Sequence, residues 1–92
     1  MIRVPPPSLR TPELAAFVRR VEAAARLAGR LTLTSWYRDP RSNAAVGGAP
    51  RSRHLTGRAI DVIAASPIRA AAAFRAFGLR VIDEKDHLHI DG

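Results

Sequence analysis

Two short blocks constrain this chain more than any bulk property: Ser52 to Asp61, Ser-Arg-His-Leu-Thr-Gly-Arg-Ala-Ile-Asp, and Asp86 to His89, Asp-His-Leu-His. They carry all three of its histidines. His54, Asp61 and His89 make a His/Asp/His set, three protein ligands with a fourth position left for water, and this is the donor set of a catalytic zinc. Any fold that serves them must bring residues distant in the chain to one point. Asp86, three residues ahead of His89, is spaced to take a proton from that water. The chain has no cysteine, so thiolate ligands and disulfides are excluded, and a transition metal has to be held by imidazole and carboxylate.

The 92 residues suffice for one modest core. A bound metal would therefore support the fold as well as the chemistry. The formal charge is +7, nearly all of it arginine, since Lys85 is the only lysine. That balance suits an anionic partner, while its plain reading is a solvated arginine-rich surface. The N-terminal Met1-Ile-Arg-Val-Pro-Pro-Pro has no apolar signal-peptide core, and no run approaches the roughly 20 apolar residues of a membrane span.

Residues 1–10 are expected as an extended, Pro-rich arm, and residues 11–92 as a single domain. Thr11-Pro12 reads as an N-cap with proline at the first helical position. Leu14, Phe17, Val18, Val21, Ala25 and Ala28 then keep helical spacing up to Gly29, predicting a helix over 12–28. Residues 31–36 alternate as a strand, and 37–53 are expected as a long irregular loop, rich in Pro, Asn, Ser and Gly. Residues 59–63 return to strand. Ser66-Pro67 starts a second helix running to Phe77 and stopped by Gly78, and 79–82 pairs with 87–90 as a hairpin. The order predicts an α+β fold, helices packed on one side of a small, mainly antiparallel sheet.

Strand parity sharpens the candidate site. His87 and His89 face together, with Leu88 and Ile90 turned to the core. Asp61 sits between apolar Ile60 and Val62, where a carboxylate is costly unless it is paired or bound to a cation. Gly57 allows a tight turn between His54 and Asp61, and small Ala59 leaves room beside a metal.

These residues resemble the M15 peptidases, the zinc D-Ala-D-Ala carboxypeptidases and related endopeptidases of bacterial cell walls. Ser52, His54, Gly57, Ala59 and Asp61 fill the fixed positions of that family's S-x-H-x-x-G-x-A-x-D signature. Asp86 and His89 fill its second motif, an acidic residue, two positions and a histidine. Ser35-Trp36-Tyr37-Arg38, Asn43 and Val46-Gly47-Gly48 resemble its substrate-side loop. The resemblance spans about Leu31 to Asp91. It implies a hedgehog/DD-peptidase-like fold and Zn2+ held by His54, Asp61 and His89. It implies Asp86 as general base and acid, Arg38 on the scissile carbonyl or holding substrate, and His87 as a nearby hydrogen bonder. Tyr37 and Ser52 join Arg38 as candidate substrate contacts. The expected substrate is the peptide stem of peptidoglycan, cut by a carboxypeptidase or an endopeptidase acting as a monomer at the wall, periplasm or cell exterior. With no signal peptide, a phage-type lysin or a part of a larger wall enzyme both fit.

Each assignment has a plainer counterpart. Strict alternation puts Asp86 on the face opposite His89, so its role requires a turn or bulge. Asp83 and Glu84 compete with it, and Asp91 shares the parity of His87 and His89. The family's base is often Glu, and Asp serves the same chemistry. His87 reads equally as an exposed histidine, Arg38 as one more solvated arginine, Ser52 as a loop cap and Trp36 as a core or loop anchor. A non-catalytic zinc module binding a wall or protein partner is the alternative; Asp86 and Arg38 argue against it, because a structural zinc site closes its fourth position with another ligand. A nucleic-acid binder is not expected, since the arginines are scattered and aromatics make up only 5% of the chain.

Overall fold

The computed structural model describes residues 2–92. Helix α1 spans Pro12–Ala25, α2 Pro40–Ala45 and α3 Pro67–Ala76; the strands are β1 Leu31–Ser35, β2 Ala59–Ala64, β3 Arg80–Asp83 and β4 Leu88–Asp91. Two short 3-10 turns lie at Pro7–Leu9 and Arg53–Thr56. The four strands form one antiparallel sheet in the order β1-β2-β4-β3, so β2 and β4 are its central strands. The α+β architecture with an antiparallel sheet is the one expected.

Alternation then sorts the two faces. Ile60 and Val62 of β2, Val81 of β3, and Leu88 and Ile90 of β4 join one core with Leu14, Phe17 and Ala24 of α1 and Ala70, Ala73 and Phe74 of α3. Phe17 and Phe74 are fully buried and contribute about 1.5–3 kcal/mol each by leaving water. Asp61, His89 and Asp91 have the opposite parity and stand on the other face. Alanines at 24, 28, 70 and 73, all buried, allow α1 and α3 to approach closely.

Several boundaries move, each for a local reason. Thr11 caps α1 as expected, its Oγ1 accepting from the Leu14 amide at 3.1 Å. The helix stops at Ala25, not Ala28, because the Leu27 amide bonds back to Ala24, a tightened final turn before Gly29 at φ 79°. The loop expected over 37–53 is not irregular throughout. Asp39 accepts from the Ser42 amide at 2.7 Å and Pro40 follows it, which starts α2. Helix α3 ends at Ala76 and starts without a side-chain cap from Ser66. The hairpin strands lie one residue later than expected, because the Leu79 amide is used by the Phe74 carbonyl at the end of α3. The Pro-rich N-terminal segment packs against the domain: Pro5 is buried, and the Arg3 carbonyl accepts from the Tyr37 amide at 3.0 Å.

Candidate metal site

His54 comes from the 3-10 turn Arg53–Thr56. Ser52 opens that turn by accepting from the His54 amide at 3.2 Å, and Gly57 closes it at φ 75°. A Cβ at Gly57 would stand 2.4 Å from Pro5 Cγ, so both the backbone angle and the docked segment demand glycine. The turn is pinned to the end of β1. The Trp36 indole donates to the Gly57 carbonyl at 2.7 Å, and the Arg38 amide donates to the His54 carbonyl at 3.0 Å. Trp36 is therefore a loop anchor.

The imidazole of His54 is 2% exposed. Its Nδ1 lies 2.6 Å from the Trp36 carbonyl, which only accepts, so Nδ1 carries the proton and donates. The lone pair of Nε2 is left facing Asp61 Oδ1 at 3.3 Å. Asp61 and His89 are direct partners across β2 and β4. His89 presents Nδ1 to the same Asp61 oxygen at 3.2 Å, while its Nε2 lies 2.8 Å from Asp91 Oδ2. Two ring nitrogens thus converge on one carboxylate oxygen, and lone pair against lone pair is repulsive unless a proton or a cation stands between. The separations are longer than charge-assisted hydrogen bonds prefer, about 2.7–2.9 Å. They match the edge of a tetrahedron with zinc–ligand bonds of 2.0–2.1 Å, about 3.3 Å. One donor atom from each of His54, Asp61 and His89 falls within 4.8 Å of the others, so the set fits a single ion.

Burial pushes the Asp61 carboxyl up, but its pairing with the His54 and His89 rings whenever a proton stands between them, together with the charge of Arg38, outweighs it and holds the group well below the usual carboxylate range. Arg38 donates from Nη2 to Asp61 Oδ2 at 2.8 Å, capping the oxygen that faces away from the two rings. The hydrogen bond to Asp61 raises the His89 imidazole above its ordinary value.

Asp86 lies in the turn between β3 and β4, outside the strand, so the parity objection does not apply to it. Lys85 beside it takes the left-handed conformation, φ 74°, with its amide bonded to Asp83 Oδ1 at 2.8 Å. The Asp86 side chain is 87% exposed and bonds His87 Nδ1 at 2.7 Å; His87 Nε2 is 3.8 Å from Asp61 Oδ1. Thr34, Asp61, Ile63, Asp86 and His87 line a cavity of about 220 Å³. A second, of about 240 Å³, continues from Ile63, Asp86 and His87 toward Pro67, Asp83 and Lys85. Thr34 reaches this cleft because a bulge interrupts β1 between Leu33 and Ser35, and its hydroxyl donates to the Asp61 carbonyl at 3.2 Å. The larger cavity, about 570 Å³ between the N-terminal segment and α1, contains none of the candidate metal ligands.

The fold thus gathers His54, Asp61, His89, Arg38, His87 and Asp86. Two candidates stand apart from the cleft. Tyr37 lies under the Arg3 guanidinium, 5.2 Å from ring centroid to Cζ, and Ser52 Oγ is used by the His54 amide. Asp91 and Asp83 are also engaged, the former by Arg80 and His89, the latter by the Lys85 amide. Thr34, the Trp36 carbonyl and Asp91 were not singled out as site residues from sequence. For Asp91 the signal is its parity with His89; Trp36 lies in the block that resembles the substrate-side loop, but nothing in the sequence marks its carbonyl, and Thr34 carries no signal.

The sequence model of the Peptidase M15 family matches residues 3–91. The chain belongs to the M15 peptidase family. Among solved structures, this M15 chain is similar to the crystal structure of Serratia marcescens L-Ala D-Glu endopeptidase ChiX. The two share 27% identity over 90% of this chain and 81% of that one, at a TM-score of 0.56. No curated protein sequence matches at a significant level. Family membership makes the chain a peptidase and a hydrolase, and M15 peptidases are generally zinc-dependent. Among the described residues of this M15 chain, no helix is long and apolar enough to cross a membrane.

Proposed function

We propose that this M15 chain is a zinc-dependent endopeptidase of the peptidoglycan stem peptide. The observation that carries the reading is the convergence of His54 Nε2 and His89 Nδ1 on one oxygen of Asp61, at separations of 3.3 and 3.2 Å. His54, Asp61 and His89 would hold the zinc, a three-residue donor set of the kind catalytic zinc sites use. Zinc held there would supply Lewis acidity, which lowers the pKa of a bound water to about 7 and polarises a carbonyl.

The chain's own groups do the rest. Asp86, exposed on the turn above the cleft, takes the proton of the attacking water and returns it to the leaving amine. His87 holds the Asp86 carboxylate through Nδ1 and so fixes where that proton is taken up. Arg38 spends Nη2 on Asp61 and keeps its other N–H groups for the carbonyl oxygen as negative charge grows there. Ser52 acts through His54, by holding its turn, and Tyr37 through the loop, by packing on Arg3.

An endopeptidase is favoured over a carboxypeptidase by the likeness to an L-Ala D-Glu endopeptidase. The cleft agrees, because its two cavities share Ile63, Asp86 and His87 and together suit an extended peptide more than one terminal residue. The substrate places the enzyme's action at the cell wall. The deciding experiment incubates the protein with purified muropeptides, with and without a chelator, and identifies products by mass spectrometry. Internal stem fragments that disappear with chelator are expected. Free D-Ala would reassign it as a carboxypeptidase, and no cleavage despite stoichiometric zinc would make it a binding module.

A further inference from the structure

Besides Asp61, a second carboxylate is buried on the site face of the sheet, and the mechanism above does not use it. Asp91 has a side chain only 2% exposed. Burying that charge is costly, and three charge-assisted bonds offset the cost. Arg80 donates from Nε to Oδ1 at 2.9 Å and from Nη2 to Oδ2 at 2.6 Å, and Oδ2 also faces His89 Nε2 at 2.8 Å. The hairpin register builds this arrangement, with Arg80 directly opposite Asp91 on β3 and β4 and His89 two residues earlier on the same face.

We infer that Asp91 is a positioning residue for the metal site: it fixes His89 as the tautomer protonated on Nε2, so that Nδ1 turns its lone pair toward the point shared with Asp61 and His54. This rests on the metal-site reading given above. Arg80 has a separate part. Its fork occupies both oxygens of Asp91, so the carboxylate can neither rotate nor give up its role as acceptor. His54 obtains the same tautomer control from a neutral group, the Trp36 carbonyl at 2.6 Å. The two imidazoles therefore differ, because an anion behind His89 also makes its ring a stronger donor to a cation, and a carbonyl does so less.

The test combines two readouts. Long-range 1H–15N NMR of the zinc-free protein, at a pH well above the ordinary histidine pKa of about 6.5, reports which nitrogen of His89 is protonated. Zinc affinity is measured separately by competition with a chelating dye. In the wild type, Nε2–H is expected; Nδ1–H would overturn the inference outright. Asp91→Asn cannot satisfy both Arg80 and His89, since its amide NH2 must face one of these donors. It is expected to mix the tautomers and weaken zinc binding about 10- to 100-fold. If Asp91 were merely structural, the melting temperature of the zinc-free protein would fall while tautomer and zinc affinity stayed put, and that result sinks the proposal. Should Asp91→Asn not fold, Arg80→Gln decides, since the Arg80 side chain is 63% exposed. A loss of zinc affinity of up to about 10-fold is expected there, at the lower end of outer-shell effects, and unchanged affinity and tautomer overturn it. A wild type that takes up no zinc would defeat the metal-site reading, while the His89 tautomer would still judge Asp91.

Discussion

Asp61 and His89 hang from the two central strands of the sheet, whereas His54, Arg38 and Asp86 arrive on turns and loops at its edge. The strand pair is placed by backbone register, with Asp61 and His89 opposite one another in the antiparallel ladder. The loop group is placed by side-chain and carbonyl contacts: Ser52 and Trp36 on His54, Asp61 on Arg38, His87 on Asp86. The difference separates two needs. Two of the three proposed ligands sit on strands, where the backbone moves least, while the third, His54, shares the loops with the groups that would meet a changing substrate.

The strand half is broken most severely at its centre. Asp61→Ala removes the oxygen on which both rings converge and leaves two imidazoles with no carboxylate between them. Zinc affinity is expected to fall by more than about 100-fold, beyond the range for outer-shell partners, and muropeptide cleavage with it. Zinc retained at one equivalent after gel filtration of this variant would mean that the ligand set is wrong. Asp86→Asn tests the loop half by contrast. It should keep zinc, because Asp86 is exposed and touches only His87, yet lower turnover by about 100-fold or more through loss of the general base. Near-normal turnover would move the base to Asp83 or Glu84.

Gly57→Ala asks how firmly the loop half is tied down. The added Cβ meets Pro5 at 2.4 Å and forces a left-handed alanine, which alone costs roughly 1–2 kcal/mol. Urea unfolding should show at least that loss. The double variant Gly57→Ala/Pro5→Ala should recover the steric part and keep the backbone part. If the double variant is no more stable than the single one, the N-terminal segment does not brace the turn.

The strand half was also the more legible in the sequence. Alternation around Asp61 and His89 assigns faces with no knowledge of partners, and the burial of Ile60, Val62, Leu88 and Ile90 follows it. Helix α2 was hidden although Asp39-Pro40 repeats the logic of Thr11-Pro12, because its six residues are too few for an apolar stripe to register. The hairpin slipped by one residue because the Leu79 amide is claimed by α3, a contact that periodicity does not encode. The carboxylate behind His89 was half visible. Parity put Asp91 on the right face, but its engagement by Arg80 depends on the β3–β4 register. Tyr37 reads toward substrate through the resemblance of Ser35–Arg38 to a substrate-side loop, and Arg3, whose guanidinium covers its ring, lies too far away in the chain to signal otherwise.

The mildest prediction concerns the outer edge of the loop half, where Asp39 joins Arg3 to the start of α2. The hydrogen bond from Arg3, and then that from the Ser42 amide, pull the Asp39 carboxyl from its ordinary 3.8 down to about 2. The sign follows from that direction. A carboxyl held lower in the folded than in the unfolded chain adds stability that is fully present above about 3.8 and is lost as the pH falls through about 2. Asp39→Asn keeps a good helix cap but not the ion pair, so its urea midpoint should fall less than that of the wild type between those two pH values. The gap between the two proteins should be small, since both partners are exposed and such pairs contribute little, and it should be widest at neutral pH and close as the pH falls. Parallel midpoint curves for wild type and variant across that range would show that the tie between Arg3 and Asp39 adds nothing to the fold.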